Sequence, residues 1–220
     1  MNDVIGVLIL HGFAGSRQDI MPLHEYLDQR GYRVSSPVLS GHERARKDLA
    51  QSRYTDWIRE ATDAARDLKN RCDRLIVAGF SMGGLIAVHI RREEPVEKLV
   101  LINTPVYYWN IRRIAWNLAK DFKAYSKEYF MAGTDKPLPA LLEFQKILGK
   151  TKPLFARVPC PVLIMQTLDD DTVQPKSADY IFSRIQSEKS LVKLERGGHY
   201  VLRTDVAPDV CLGIQTAIDK

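Results

Sequence analysis

The pentapeptide Gly79-Phe80-Ser81-Met82-Gly83 stands directly behind the apolar run Leu75-Ile76-Val77-Ala78 and ahead of Gly84-Leu85-Ile86-Ala87-Val88. This arrangement leaves the chain few ways to fold. It predicts a buried strand that turns sharply into a helix, with Ser81 at the apex. Without Cβ atoms at 79 and 83 the backbone can pass close to itself. The serine can then be held in a strained conformation, its hydroxyl projected at the C-terminal edge of a sheet, with backbone N–H groups free at the helix start. A Gly-x-Ser-x-Gly match arises by chance in a chain of this length roughly one time in fifteen. The weight therefore rests on the flanking strand and helix, because a surface Gly/Ser linker would not carry apolar runs on both sides.

Further β-branched or Leu-rich runs recur at Val4 to Leu10, Tyr32 to Ser36, Arg74 to Gly79, Lys98 to Ile102, Val162 to Gln166 and Leu191 to Leu194. Between them lie amphipathic stretches of helical period: Ser16 to Arg30, Ser52 to Asn70, Met82 to Arg92, Ala178 to Ile185 and Val206 to Ile218. Strands alternating with helices predict an α/β fold, a mostly parallel sheet of six or seven strands covered on both faces. The alternation breaks between Asn103 and Val158, far longer than an ordinary crossover. The expected organisation is a core over 1–104 and 157–220 and a helical cap inserted over 105–156. In the cap, Ile111, Ile114, Leu118, Phe122, Tyr125 and Tyr129 share one face of a helix whose other face is basic, and a second helix runs over Leu141 to Leu148.

With 220 residues, 45% hydrophobic and 27% charged, the chain suits one globular domain that buries a substantial core. No apolar run approaches the ~18 residues of a membrane span, and the first residues lack the basic and small-residue pattern of a signal peptide. Three cysteines (Cys72, Cys160, Cys211) without paired spacing argue against a disulfide framework and for a reducing, cytoplasmic setting. The net charge of +5 is spread among acidic residues rather than gathered in a block, which argues against nucleic-acid binding.

A serine hydroxyl is a poor nucleophile at neutral pH. It needs a base within hydrogen-bond reach, and the base needs an acid to fix its tautomer. The loop after Val162 to Gln166 holds Asp169, Asp170 and Asp171, and the loop after Leu191 to Leu194 holds Gly197-Gly198-His199. Both lie beyond the C-terminal ends of parallel strands, the edge that carries Ser81, so the three groups can converge.

The ordered set Leu10-His11-Gly12-Phe13-Ala14-Gly15, Ser40-Gly41-His42, Gly79-Phe80-Ser81-Met82-Gly83-Gly84, Asp170-Asp171-Thr172-Val173-Gln174-Pro175 and Gly198-His199 covers essentially the whole chain. In it the chain resembles the α/β-hydrolases, and among them the small bacterial carboxylesterases and monoacylglycerol lipases with a short helical cap. The resemblance implies a catalytic triad of Ser81, Asp170 and His199. It picks Asp170 over Asp169 and Asp171 because the family's acid is followed by an aliphatic residue at the third position and Pro at the fifth, here Val173 and Pro175. It implies an oxyanion hole made by the backbone N–H groups of Phe13 and Met82, and it requires no cofactor. Two positions depart from the pattern: Thr167, where many relatives have Gly, and Met82, where some have Gln or Leu.

Other features are weighed against plainer roles. His11 is expected to support the oxyanion loop and His42 to face the pocket, while His24 and His89 are helix residues of no catalytic consequence. Three consecutive carboxylates without partner ligands do not make a metal site. The cap aromatics Tyr107, Tyr108, Trp109, Trp116, Phe122, Tyr125 and Phe130 are candidate acyl-binding residues, with packing of the cap as the competing role. The cap's basic face suits transient contact with a lipid surface. The expected activity is hydrolysis of short- to medium-chain carboxylic esters, monoacylglycerols included. A thioesterase or other acyl hydrolase is the alternative within the fold, and a non-catalytic ligand-binding member the alternative outside catalysis.

Overall fold

Along each central strand, successive side chains enter opposite hydrophobic layers, the period-two pattern of a sheet covered on both faces. The computed structural model describes residues 3–108, 117–122, 126 and 136–220. Six strands, β1 (Ile5–Leu10), β2 (Arg33–Ser35), β3 (Arg74–Phe80), β4 (Lys98–Ile102), β5 (Val162–Thr167) and β6 (Lys189–Leu194), form one sheet in the order β2-β1-β3-β4-β5-β6. Every neighbouring pair is parallel.

Seven α-helices are described: α1 (Met21–Asp28), α2 (Arg46–Gln51), α3 (Tyr54–Lys69), α4 (Met82–Glu93), α5 (Leu138–Thr151), α6 (Lys176–Arg184) and α7 (Ala207–Ile218). Leu8, Leu10, Val77, Leu99, Leu101 and Ile164 face the layer built by α3, α4, α5 and α6. Val7, Ile9, Ile76, Ala78, Val100, Ile102 and Met165 face α1 and α7, where Leu23, Leu27, Val210, Ile214 and Ile218 meet them. α3 buries Trp57, Ala61, Ala65 and Leu68 at helical spacing. α4 is buried from Met82 to Val88, because it lies directly under the sheet edge that carries the turn at Ser81.

The strands and most helices fall within two residues of the sequence expectations, and the differences have local causes. The expected helix over Ser16 to Arg30 is instead a 3₁₀ turn (Arg17–Asp19) followed by α1. Asp19 turns back to accept the Ser16 N–H at 2.9 Å, and Pro22 sits in the first turn of α1, where a missing N–H costs nothing. α2 was not anticipated. α5 is longer than the expected Leu141 to Leu148, and its Ala140, Phe144 and Ile147 join the same hydrophobic layer as α3 and α4. Of the first expected cap helix, residues 117–122 and 126 are described, with 117–120 helical, and the rest lies outside the described residues. Among the described residues no helix is long and apolar enough to cross a membrane.

Candidate active site

The turn between β3 and α4 is fixed by main chain against main chain. Ser81 adopts φ 52° and ψ −120°, a region that costs a non-glycine residue on the order of 1–3 kcal/mol and persists only where its surroundings enforce it. They do so here. The Ser81 N–H donates to the Ile102 carbonyl of β4 at 2.8 Å, and the Gly84 N–H donates to the Ser81 carbonyl at 3.0 Å. A Cβ at Gly79 would lie 2.2 Å from the Gly83 carbonyl carbon, and one at Gly83 would lie 2.3 Å from the Leu10 carbonyl oxygen. Neither site has room for a side chain, which is why the pentapeptide needs glycine at both ends.

The loops beyond β5 and β6 bring the other two predicted residues to the serine. His199 Nδ1 lies 2.8 Å from Asp170 Oδ2, and His199 Nε2 lies 3.1 Å from Ser81 Oγ. Asp170 is fully buried, and its Oδ1 accepts the N–H groups of Thr172 and Val173 at 2.8 Å each. A carboxylate only accepts, so the imidazole proton sits on Nδ1 and the Nε2 lone pair faces the serine hydroxyl. The two neighbouring carboxylates are engaged elsewhere. Asp169 accepts the N–H groups of Gly198 at 2.8 Å and Gly197 at 3.3 Å, and Asp171 contacts the Thr172 hydroxyl at 3.1 Å.

The loop after β1 lies against the serine, since a Cβ at Gly12 would come within 3.2 Å of Ser81 Cβ. It is a tight turn in which the Gly15 N–H reaches the Gly12 carbonyl at 3.2 Å, with Ala14 at φ 54°. His11, fully buried, holds the turn from behind. Its Nε2 accepts the Leu39 N–H at 3.1 Å, so Nδ1–H donates to the Gly12 carbonyl at 2.9 Å. Burial lowers the His11 pKa, which keeps the ring in the neutral form this pattern requires. Phe13 therefore sits at the tip of a braced loop. Met82, as the first residue of α4, carries one of the N–H groups that a helix start leaves without an intrahelical acceptor.

Aromatic rings form a wall beside this loop. Phe13 stacks on Phe144 of α5 at 5.0 Å between centroids, and Tyr108 meets Phe144 at 5.1 Å. The segment of Tyr108 is bridged antiparallel to Val173 in the acid loop, and the Gln174 N–H donates to the Tyr107 carbonyl at 3.0 Å. Burial, followed by the nearby Tyr200 and Asp170, pushes the Tyr108 phenol up to about 12. His42 is buried with its ring 6.3 Å from Phe13 and 5.6 Å from Trp57. Its Nδ1 faces the Ser40 carbonyl at 3.1 Å while Nε2 has no partner among the described residues, and burial, then the neighbouring His11 imidazole, which disfavours a second positive charge, lowers its pKa to about 3.

The candidate acyl-binding residues fare differently. Tyr107 directs its ring at Tyr180, 6.0 Å away, with Lys152 and Lys176 over it, which is a packing position. Phe122 is 70% exposed. Trp109, Trp116, Tyr125 and Phe130 lie outside the described residues. His89 is half-buried on α4; it contacts the Thr151 hydroxyl at 2.9 Å, and burial, then Arg92, lowers its pKa to about 4. Tyr108, a candidate from the sequence, is the one that meets Phe144, whereas Phe144 itself is not among the sequence candidates, nor is Asn103, a fully buried residue at φ 46° directly beyond β4. An asparagine closing a buried strand next to the nucleophile strand was the one available signal. Among the described residues no group of three or more His, Cys, Asp or Glu side chains could hold a metal ion.

Comparison with known proteins matches this arrangement. The family model described as "Alpha/beta hydrolase family" matches residues 7–211. The chain is 30% identical over 210 residues to the thermostable monoacylglycerol lipase of Bacillus sp. (strain H-257), covering 90% of this chain and 84% of that protein. It is 26% identical over 208 residues to a carboxylesterase of Bacillus subtilis (strain 168), covering 89% and 84%. A solved structure from the metagenome-derived lipolytic enzymes LipS and LipT superposes with a TM-score of 0.84 at 28% identity, covering 99% of this chain and 94% of that one. With the family model spanning nearly the whole chain, this protein belongs to the alpha/beta hydrolase family.

Proposed function

We propose that Ser81, His199 and Asp170 act as nucleophile, base and acid in the hydrolysis of carboxylic esters. The protein is an ester-hydrolysing enzyme of the alpha/beta hydrolase family, in keeping with the activities named for its relatives. The observation that carries the assignment of residues is the unbroken chain from Ser81 Oγ through His199 to Asp170, at 3.1 and 2.8 Å, on a turn held in a strained conformation. Ser81 attacks the acyl carbon as its proton passes to His199 Nε2. The leaving alcohol takes that proton, and a water activated by His199 then releases the acid from the acyl-enzyme. Asp170 holds the imidazole tautomer and stabilises the imidazolium. The N–H groups of Phe13 and Met82 stabilise the tetrahedral oxyanion, each worth about 10² to 10³ in turnover if it behaves as comparable donors do.

The substrates are short- to medium-chain esters, monoacylglycerols among them. The apolar wall of Phe13, Phe144 and Tyr108 favours an aliphatic acyl group. Exposed Phe122, Leu138 and Leu142 on the inserted segment suit transient contact with a lipid surface, and three free cysteines suit a reducing cytoplasm. The test is hydrolysis of p-nitrophenyl esters of increasing acyl length, alongside the matching thioester series, by the protein and its Ser81→Ala variant. Turnover of the oxygen esters that peaks at one chain length and vanishes in the variant is expected. Preference for thioesters would reassign the leaving group, and equal rates with Ser81→Ala would overturn the reading.

A further inference from the structure

The loop that presents His199 has its backbone polar groups engaged by three residues outside the triad. Asn103 Nδ2 donates to the His199 carbonyl at 2.8 Å and to the Gly198 carbonyl at 3.1 Å. Asn103 Oδ1 accepts the Thr167 N–H at 2.9 Å, and the Thr167 hydroxyl donates to the Gly198 carbonyl at 2.7 Å. From the other side, Asp169 accepts the N–H groups of Gly197 and Gly198. Asn103 and Thr167 are fully buried, so their side chains make these bonds largely shielded from water, whereas Asp169 acts from a partly exposed position. The Asn103 N–H is itself tied to the Met165 carbonyl at 2.9 Å, which fixes the residue to the end of β5.

We propose that Asn103, with Thr167 and Asp169, is a positioning clamp for the general base. It sets the His199 backbone so that Nε2 meets Ser81 Oγ while Nδ1 stays on Asp170. Two features make this more than loop packing. Gly197 at φ 129° and Gly198 at φ 59° give the loop conformations open to few other residues, so its own backbone does little to select one. The clamp supplies that selection. Asn103 also occupies the left-handed region at φ 46°, a conformation that asparagine tolerates better than most residues. Thr167 has a matching explanation: its hydroxyl adds a second donor to the Gly198 carbonyl, beside Asn103 Nδ2.

The inference rests on His199 being the base, and its test separates the two. The wild type, Asn103→Ala, Thr167→Val, His199→Ala and the doubles Asn103→Ala/His199→Ala and Thr167→Val/His199→Ala are compared on one p-nitrophenyl ester. A misplaced catalytic group commonly costs up to about 10²-fold, so Asn103→Ala should lower kcat by roughly 10- to 100-fold with KM within about twofold. Loss of the single Thr167 bond should cost about 2- to 10-fold in kcat. In the His199→Ala background both substitutions should change the residual rate by less than about twofold, because a clamp has nothing left to position. Equal fold losses with and without His199 would overturn the clamp, as would a KM effect with kcat unchanged. If Asn103→Ala fails to fold, the Thr167→Val pair decides by the same criterion. An undiminished His199→Ala enzyme would instead overturn the assignment of the base, so the two failures are distinguishable.

Discussion

At the turn of Ser81, position is dictated by backbone sterics: Ser81 is strained, and Gly79 and Gly83 lie against carbonyl groups with no room for a side chain. Beside it, the wall of Phe13, Phe144 and Tyr108 is held by ring packing between the loop after β1, α5 and the segment after β4. The first region can hardly change without losing its geometry, whereas the second can be resized by exchanging side chains. The proposed catalytic serine and the proposed acyl-binding wall thus sit on scaffolds of different stiffness, and substitutions should separate them.

The largest effect is expected at the acid. Asp170→Asn leaves shape intact but presents a donor to Nδ1 and favours the wrong tautomer, so kcat should fall about 10⁴-fold. Asp169→Asn should stay within about tenfold, because its amide oxygen can keep the 2.8 Å bond from the Gly198 N–H and only the longer 3.3 Å bond from Gly197 is lost. Comparable losses in steady-state assays of the two variants would break the distinction drawn between these carboxylates. Next comes Gly83→Ala, whose methyl would have to displace the Leu10 carbonyl. A shift of the serine by about 1 Å should cost on the order of 10²-fold in kcat/KM, and a well-folded, fully active variant would show the turn to be less constrained than described.

At the wall the expected signature is different. Phe144 is 1% exposed, so Phe144→Ala should cost about 3–5 kcal/mol by denaturant unfolding. For the shortest esters kcat should remain within about fivefold of wild type, while the preferred acyl chain lengthens as the cavity opens. An unchanged chain-length profile would remove Phe144 from the acyl pocket.

The smallest effect concerns acid stability. His42 is lowered from its ordinary 6.5 to about 3 and His89 to about 4, and His11 is also lowered, chiefly by burial. Below about pH 6.5 the unfolded chain binds protons that the folded one refuses, so this contribution is intact above 6.5 and lost as pH falls toward 3–4. Tm should decline between pH 7 and 5, and less steeply in His42→Gln. Parallel declines in the two proteins would assign the acid sensitivity elsewhere.

Much of this was legible in the sequence, for identifiable reasons. Parallel strands buried on both faces read as apolar runs, so β3, β4 and β5 stand out, and the two-residue glycine spacing around Ser81 reports a steric demand. The loops of Asp169 to Asp171 and of His199 follow because a triad at one sheet edge must come from loops beyond strand ends, while the choice of Asp170 among the three came from the resemblance to the α/β-hydrolases. The clamp was not legible, since Asn103 makes its bonds to residues 64 to 96 positions away and nothing local distinguishes it from a turn asparagine. Phe144 read only as an apolar position of a helix, because which ring faces which is decided by tertiary packing. The break within Ser16 to Arg30 was hidden because Pro22 is compatible with a helix start as well as with a kink.

The most direct test of the account is covalent trapping. The protein is treated with a fluorophosphonate carrying an alkyl chain, and the modified peptide is located by mass spectrometry in the wild type, Ser81→Ala and His199→Ala. The account predicts one adduct per chain, on Ser81, absent from Ser81→Ala and formed far more slowly in His199→Ala. An adduct on another residue, or labelling indifferent to His199, would contradict it.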